Sequence, residues 1–239
     1  MRKTFFTLVA LIIVSFGINA AETENFRLEV LDFTELQVSN NINVDYYCSA
    51  DSAGYAYFDC DKEMASKLMF TNNKGSLRIQ LDTDGTDSIG VPTVRVYSSS
   101  LSKAENASDS TLRILSAAPV KNFRARVMGN GHLIVKDIEA NSLEANVATG
   151  CGSVVIQGGQ ARQAKLSSIG TGPIEAGPLK VQKVKAVLFG TGDIDCTALE
   201  ALTIYGAGSG KVYYKGEPEK IVNRSLGIKA FPVSNNSGK

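Results

Sequence analysis

Glu175 and Asp195 stand 20 residues apart, with Asp193 two residues before the second, and carboxyl groups brought together by such a step are what cleavage of an acidic polysaccharide would use. One would act as general acid and another as general base, and two held side by side repel each other so that one pKa rises. His132, Lys211 and Tyr213 fall on the same side if the step is a structural repeat. A second group is basic: Arg124, Arg126, Lys165 and Lys185, interrupted by Glu144, form a stripe suited to an anionic glycan. Tyr205 and Tyr213 point outward in the same scheme, where they could stack on sugar rings. The plainer reading is a solvated surface. The acids are few, the one histidine lies two repeats from Glu175, and charges on strands keep a β protein soluble. The favoured reading therefore assigns no catalytic residue, with Glu175, Asp193 and Asp195 as the set an enzyme would use.

What must position these residues is a glycine doublet that recurs as Gly129-Asn130-Gly131, Gly150-Cys151-Gly152, Gly170-Thr171-Gly172, Gly190-Thr191-Gly192 and Gly208-Ser209-Gly210. The steps are 21, 20, 20 and 18 residues, and Ser108-Asp109-Ser110 occupies the place of a further, degenerate doublet. A fixed period near 20 residues is the mark of a solenoid. After each doublet an aliphatic residue recurs at Leu112, Leu133, Val154, Ile174, Ile194 and Val212, and again two residues later at Ile114, Val135 and Ile156. That alternation is a strand with one buried face. A second alternating run precedes each doublet, as in Phe123, Ala125, Val127 and Leu143, Ala145, Val147. Apolar Ile138, Leu179 and Leu199 suggest a third side to each coil.

Three short sides with glycine corners make a right-handed parallel β-helix, all-β and single-stranded, whose coils hydrogen-bond about 4.8 Å apart. Glycine suits the corners because positive φ costs it nothing. A Gly-x-Gly doublet also occurs in nucleotide-binding loops, but there an amphipathic helix follows; here a strand does, so no cofactor is expected.

The chain opens Met1-Arg2-Lys3, runs apolar over residues 5–18 and reaches Asn19-Ala20-Ala21, the pattern of a secretory signal peptide over residues 1–20. The apolar run is too short for a spanning helix, and nothing else in the chain is long and apolar enough. Without Arg2 and Lys3, 23 basic residues face 24 acidic ones, a balance with no drive toward nucleic acid. The four cysteines lie in the exported part, where disulfides are permitted. Cys151 and Cys196 should be too far apart to bond, whereas Cys48 and Cys60 fall on strands that could be neighbours. One histidine and dispersed thiols do not make a zinc site. Residues 22–100 form a less regular β region continuous with the solenoid, with one short helix at 62–69 and a loop at 83–90. Residues 101–215 are the regular coils, and 216–239 a cap and tail.

These features resemble the head GIN domain family of adhesins. The likeness rests on the exported chain beginning with Phe33, Leu36, Val38, Asn41, Ile42, Asn43 and Val44, then Gly75, Leu77 and Ile79, then the repeated Gly-x-Gly corners. The namesake Gly-Ile-Asn reads Asn41-Ile42-Asn43 here, and asparagine tolerates the left-handed backbone that glycine supplies. The resemblance implies a β-helix with an adhesin role and brings no catalytic or ligand residues. The combined expectation is an exported, non-enzymatic binding or scaffold protein in the periplasm, on the outer surface or secreted. Its partners would be glycan or protein surfaces, or further copies through coil ends.

Overall fold

Alternating side chains make the start of the chain extended, but its strands stack in an order the sequence does not follow. The computed structural model describes residues 23–82 and 91–233; the expected signal peptide, the 83–90 loop and residues 234–239 lie outside them. β1 (Glu24–Glu29), β2 (Glu35–Ser39), β3 (Val44–Cys48) and β4 (Tyr55–Cys60) lead to a short helix, α1 (Lys62–Lys67). β5 (Leu68–Asn73), β6 (Ser76–Leu81) and β7 (Val94–Ser98) follow. The helix starts where the Asp61 carboxylate accepts a hydrogen bond from the Met64 amide at 2.7 Å, and it buries Met64. It ends sooner than expected, because Met69 already belongs to β5 and faces outward. β5 and β6 form a hairpin through Lys74 and Gly75, both at positive φ as a type I′ turn requires.

The out-of-order winding appears where β2 and β3 find their neighbours. β2 lies between β6 and β8 (Lys103–Ala107), parallel to both, and β3 lies between β7 and β9 (Thr111–Ile114) in the same way. The chain therefore builds its second coil first, goes back to lay down the end coil from β6 and β7, and then crosses to the far side. Leu101, fully buried, sits on that crossing. Polar contacts bind the inserted coil to the next: Arg113 holds Asp45 with two bonds of 2.5 and 2.7 Å, and the Ser110 hydroxyl donates to the Ile42 carbonyl at 2.6 Å. The end coil is closed by antiparallel strands, β4 on β7, β1 on β4 and β5 on β6, so its edges are not left bare. Phe58 stacks between Phe26 and Phe70, with ring centroids 5.2 and 5.7 Å away, and seals this end of the core.

From here the coils follow the sequence: β10 (Val120–Val127), β11 (His132–Val135), β12 (Ile138–Val147), β13 (Ser153–Ile156), β14 (Gly159–Gly170), β15 (Ile174–Gly190), β16 (Ile194–Gly208), β17 (Lys211–Lys215), β18 (Lys220–Leu226) and β19 (Lys229–Pro232). Leu112, Leu133 and Val154 pair in parallel register, as do Val154, Ile174, Ile194 and Val212, and each is fully buried. Phe123, Leu143, Ala164, Val184 and Leu202 form an equivalent column on the other face. Burying one such aliphatic side chain stabilises by about 1.5–3 kcal/mol, so columns of them outweigh weak local preferences.

Leu199, expected inside the third side, is instead 47% exposed. The last regular step is shorter than the others, β15 and β16 slip register between Ala176 and Lys180, and fully buried Ala198 takes the place under Val181. Ile138 and Leu179 are buried as expected. The strands of Cys48 and Cys60 are not neighbours, because β7 runs between β3 and β4; Cys60 lies at the end of β4 beside Glu24, and all four cysteines are free. Burial pushes the Cys196 thiol up to about 12, so it behaves as a small apolar core residue.

The final coil ends the core with polar side chains. Asn223 and Ser225 occupy the columns that hold Ile204 and Gly206 one coil earlier, and the Asn223 amide donates to the Ile228 carbonyl at 3.1 Å. Pro232 removes a donor from the edge strand β19.

Candidate functional site

The corners determine where every outward side chain points. Gly190 sits at φ +136°, and a Cβ there would collide with the carbonyl oxygen of Gly170 in the coil before it. Gly172, the second glycine of its doublet, has no positive φ; a Cβ would instead strike the Gly152 carbonyl. The doublet thus answers two needs, a left-handed turn and close backbone stacking. Between the glycines, short polar residues link the coils: Asp109 accepts from the Asn130 amide at 3.2 Å, and Thr171 donates to the Gly150 carbonyl at 3.3 Å.

Glu175 and Asp195 are neighbours in register on β15 and β16, as the repeat implied. Glu175 is exposed, while Asp195 is half-buried against Gly177, whose missing side chain makes room for the carboxylate. Burial pushes the Asp195 carboxyl above its ordinary range; Lys215 opposes this and Glu175 adds to it. One Asp195 oxygen has no hydrogen-bond partner. Asp193 is engaged elsewhere, accepting from the Lys211 amide at 2.8 Å as a corner cap. His132 bonds Ser153 through Nδ1 at 2.8 Å, and a whole strand, β13, separates it from β15. Tyr213 stacks on Phe231, centroids 5.8 Å apart. The structure therefore gathers the two carboxylates and sets Tyr213 beside Asp195 in the next coil, while His132 stands apart and Asp193 is committed to its corner.

Three of the four basic residues share one outward column, in which Arg124, Glu144, Lys165 and Lys185 are successive partners, while Arg126 lies in the next column beside Asn146. Glu144 bridges Arg124 at 3.1 Å and Lys165 at 3.0 Å. Partial burial pulls the Glu144 carboxyl upward, but bonding to Lys165 and the charges of Lys165 and Arg124 hold it below its usual range. Lys185 lies 4.8 Å from the ring centre of Tyr205, a cation–π contact. Arg126 faces Glu105 at 3.9 Å, which Lys103 also approaches at 3.5 Å. Most of this stripe spends its charge on its own neighbours.

A concave feature lies at another corner, where the third side turns into the face of β10, β12 and β14. It is an open groove of about 810 Å³ that crosses β10, β12, β14, β15 and β16, with an adjoining hollow of about 310 Å³. Asn141 and Arg162 line both, Gln160, Lys180 and Gln182 line the larger, and Lys183 the smaller. Gln160 donates to Glu139, and Lys183 pairs with Glu200 at 3.8 Å. Among the described residues, Arg162 and Lys180 make no ion pair. These residues are not among those that residue type and spacing single out. The usable signal in the sequence is the polar outward positions of the third side, Glu139, Gln160 and Lys180, which share one register. Among the described residues no three metal-binding side chains converge, and no helix is long and apolar enough to cross a membrane.

No curated protein matches this chain. A family described as "Putative auto-transporter adhesin, head GIN domain" matches residues 32–218. A crystal structure of a putative adhesin from Bacteroides fragilis NCTC 9343 is 21% identical with a TM-score of 0.79, over 90% of this chain and 99% of that one. A putative adhesin from Parabacteroides merdae ATCC 43184 is 15% identical with a TM-score of 0.65, over 88% and 96%. A putative lipid binding protein from Parabacteroides distasonis ATCC 8503 is 20% identical with a TM-score of 0.61, over 87% and 96%. At such identities the likeness is one of fold.

Proposed function

Since this chain belongs to the head GIN domain family, we propose that it is an exported binding protein of the cell envelope that holds a glycan or protein surface without transforming it. The observation that carries this reading is the long groove. Amides and cations line it across successive coils, and its one acid, Glu139, is engaged by Gln160, so the site offers contacts in a row rather than an acid and a base facing one bond. The leader expected at residues 1–20 is the basis for export. Stacking of coil ends between copies is the weaker mode of action, because Asn223, Ser225 and Pro232 make the last coil a poor template for pairing.

A second reading, cleavage of an acidic polysaccharide by Glu175, Asp193 and Asp195, draws on the raised Asp195 carboxyl beside Glu175. Asp193 weakens it, being committed to the Lys211 backbone. The test is to incubate the mature chain with anionic polysaccharides, with and without calcium, and in parallel to probe glycan and protein arrays. Retention on an array without turnover is the expected result. Turnover that disappears in Asp195→Ala would replace the binding reading with the enzymatic one.

A further inference from the structure

We infer that the groove crossing β10, β12, β14, β15 and β16 is the binding site, and that its ligand is an extended acidic polysaccharide lying along the solenoid axis; this rests on the envelope-binding reading above. Three features of the groove select that ligand. Its direction is the first. It runs across the coils, whose backbones lie about 4.8 Å apart, so equivalent outward groups recur along a line as Gln160 and Lys180 do in register. A chain of repeating units can meet a regular ladder in a way that a compact ligand cannot.

Charge is the second. Arg162 and Lys180 are exposed cations without an ion pair among the described residues, whereas Arg124 and Lys165 in the neighbouring column are bridged by Glu144. A guanidinium presents a planar fork to a carboxylate, and an ammonium beside it adds a second point of attraction. The third feature is the amide content. Asn141, Gln160 and Gln182 each carry donors and an acceptor, which suits hydroxyl groups that both give and take hydrogen bonds. Among the described residues no aromatic side chain lines the groove, which argues against single-stranded nucleic acid, whose bases stack on aromatic platforms.

The experiment measures affinity of the mature chain for polygalacturonate, for neutral dextran and for poly(dT), by affinity electrophoresis and calorimetry. The comparison pair is Arg162→Gln/Lys180→Gln and a charge-matched double change on strands that do not line the groove, Lys211→Gln/Lys229→Gln, with melting temperatures to show that both are folded. The expected result is salt-sensitive binding to polygalacturonate over dextran and poly(dT), weakened about tenfold by the groove pair alone. Equal weakening by both pairs, or none by the groove pair, overturns the site while leaving a glycan-binding protein. Preference for dextran or poly(dT) overturns the ligand class. Failure to bind any of the three, with capture on a protein array, overturns this inference and leaves the broader binding function standing.

Discussion

Gly190 carries two separate demands at a single residue, a φ of +136° and a backbone neighbour where a Cβ would go. Gly170 carries the same backbone demand, at φ +123°, but its virtual Cβ stands 3.1 Å from the Gly150 oxygen, tight rather than overlapping. Strained φ alone costs on the order of 1–3 kcal/mol. Both Gly170→Val and Gly190→Val should therefore lose stability in that range, with Gly190→Val the worse of the two. Chemical denaturation of the pair checks this, and identical midpoints to wild type would remove the corners as a structural constraint. Asn41 shows the same rule from the opposite direction. It adopts φ +55° in place of the family's namesake glycine, because a short polar side chain tolerates that region at modest cost.

At the scale of the element, the decisive quantity is which way a strand residue points, and a slip of one residue reverses it. The alternation in Leu202 and Ile204 was readable because the register into β15 is regular there: Val184 pairs with Leu202 and Ala186 with Ile204. Leu199 misled because its coil is shorter than the others, so counting from the doublet no longer reports facing. Leu202→Ala should cost about 2–5 kcal/mol as a cavity in a fully buried column. Leu199→Ser should stay within about 0.5 kcal/mol of wild type. Thermal denaturation of the two variants distinguishes them; a large loss in Leu199→Ser would return that side chain to the core.

The whole molecule is asymmetric in how its two ends are finished. One end is covered by β1, β4, β5 and the Phe26, Phe58 and Phe70 stack; the other is a single coil with polar Asn223 and Ser225 turned toward the core columns. Removing residues 217–239 deletes β18 and β19 and bares the edges of β16 and β17, along with the buried side chains of Leu202 and Ile204. The shortened chain should associate with rising concentration in sedimentation velocity more than the full chain does, since open parallel edges and apolar columns are templates for pairing. Equal behaviour would mean that the last coil is not a cap.

The solenoid, its period, its inward columns and its glycine corners were all legible in the residues, because a repeat imposes the same local problem on every coil and solves it with the same side chains. Glu175 beside Asp195 followed from that period alone. The tertiary structure decided three things that local pattern does not encode. Insertion of β2 and β3 between later strands is a long-range pairing, with contacts such as Ser110 to Ile42 spanning 68 residues of chain. Neutralisation of the basic stripe depends on which neighbour each long side chain reaches, and Glu144 reaches two. The groove exists only where successive coils turn a corner together, so its shape belongs to the stack and to no single segment of sequence.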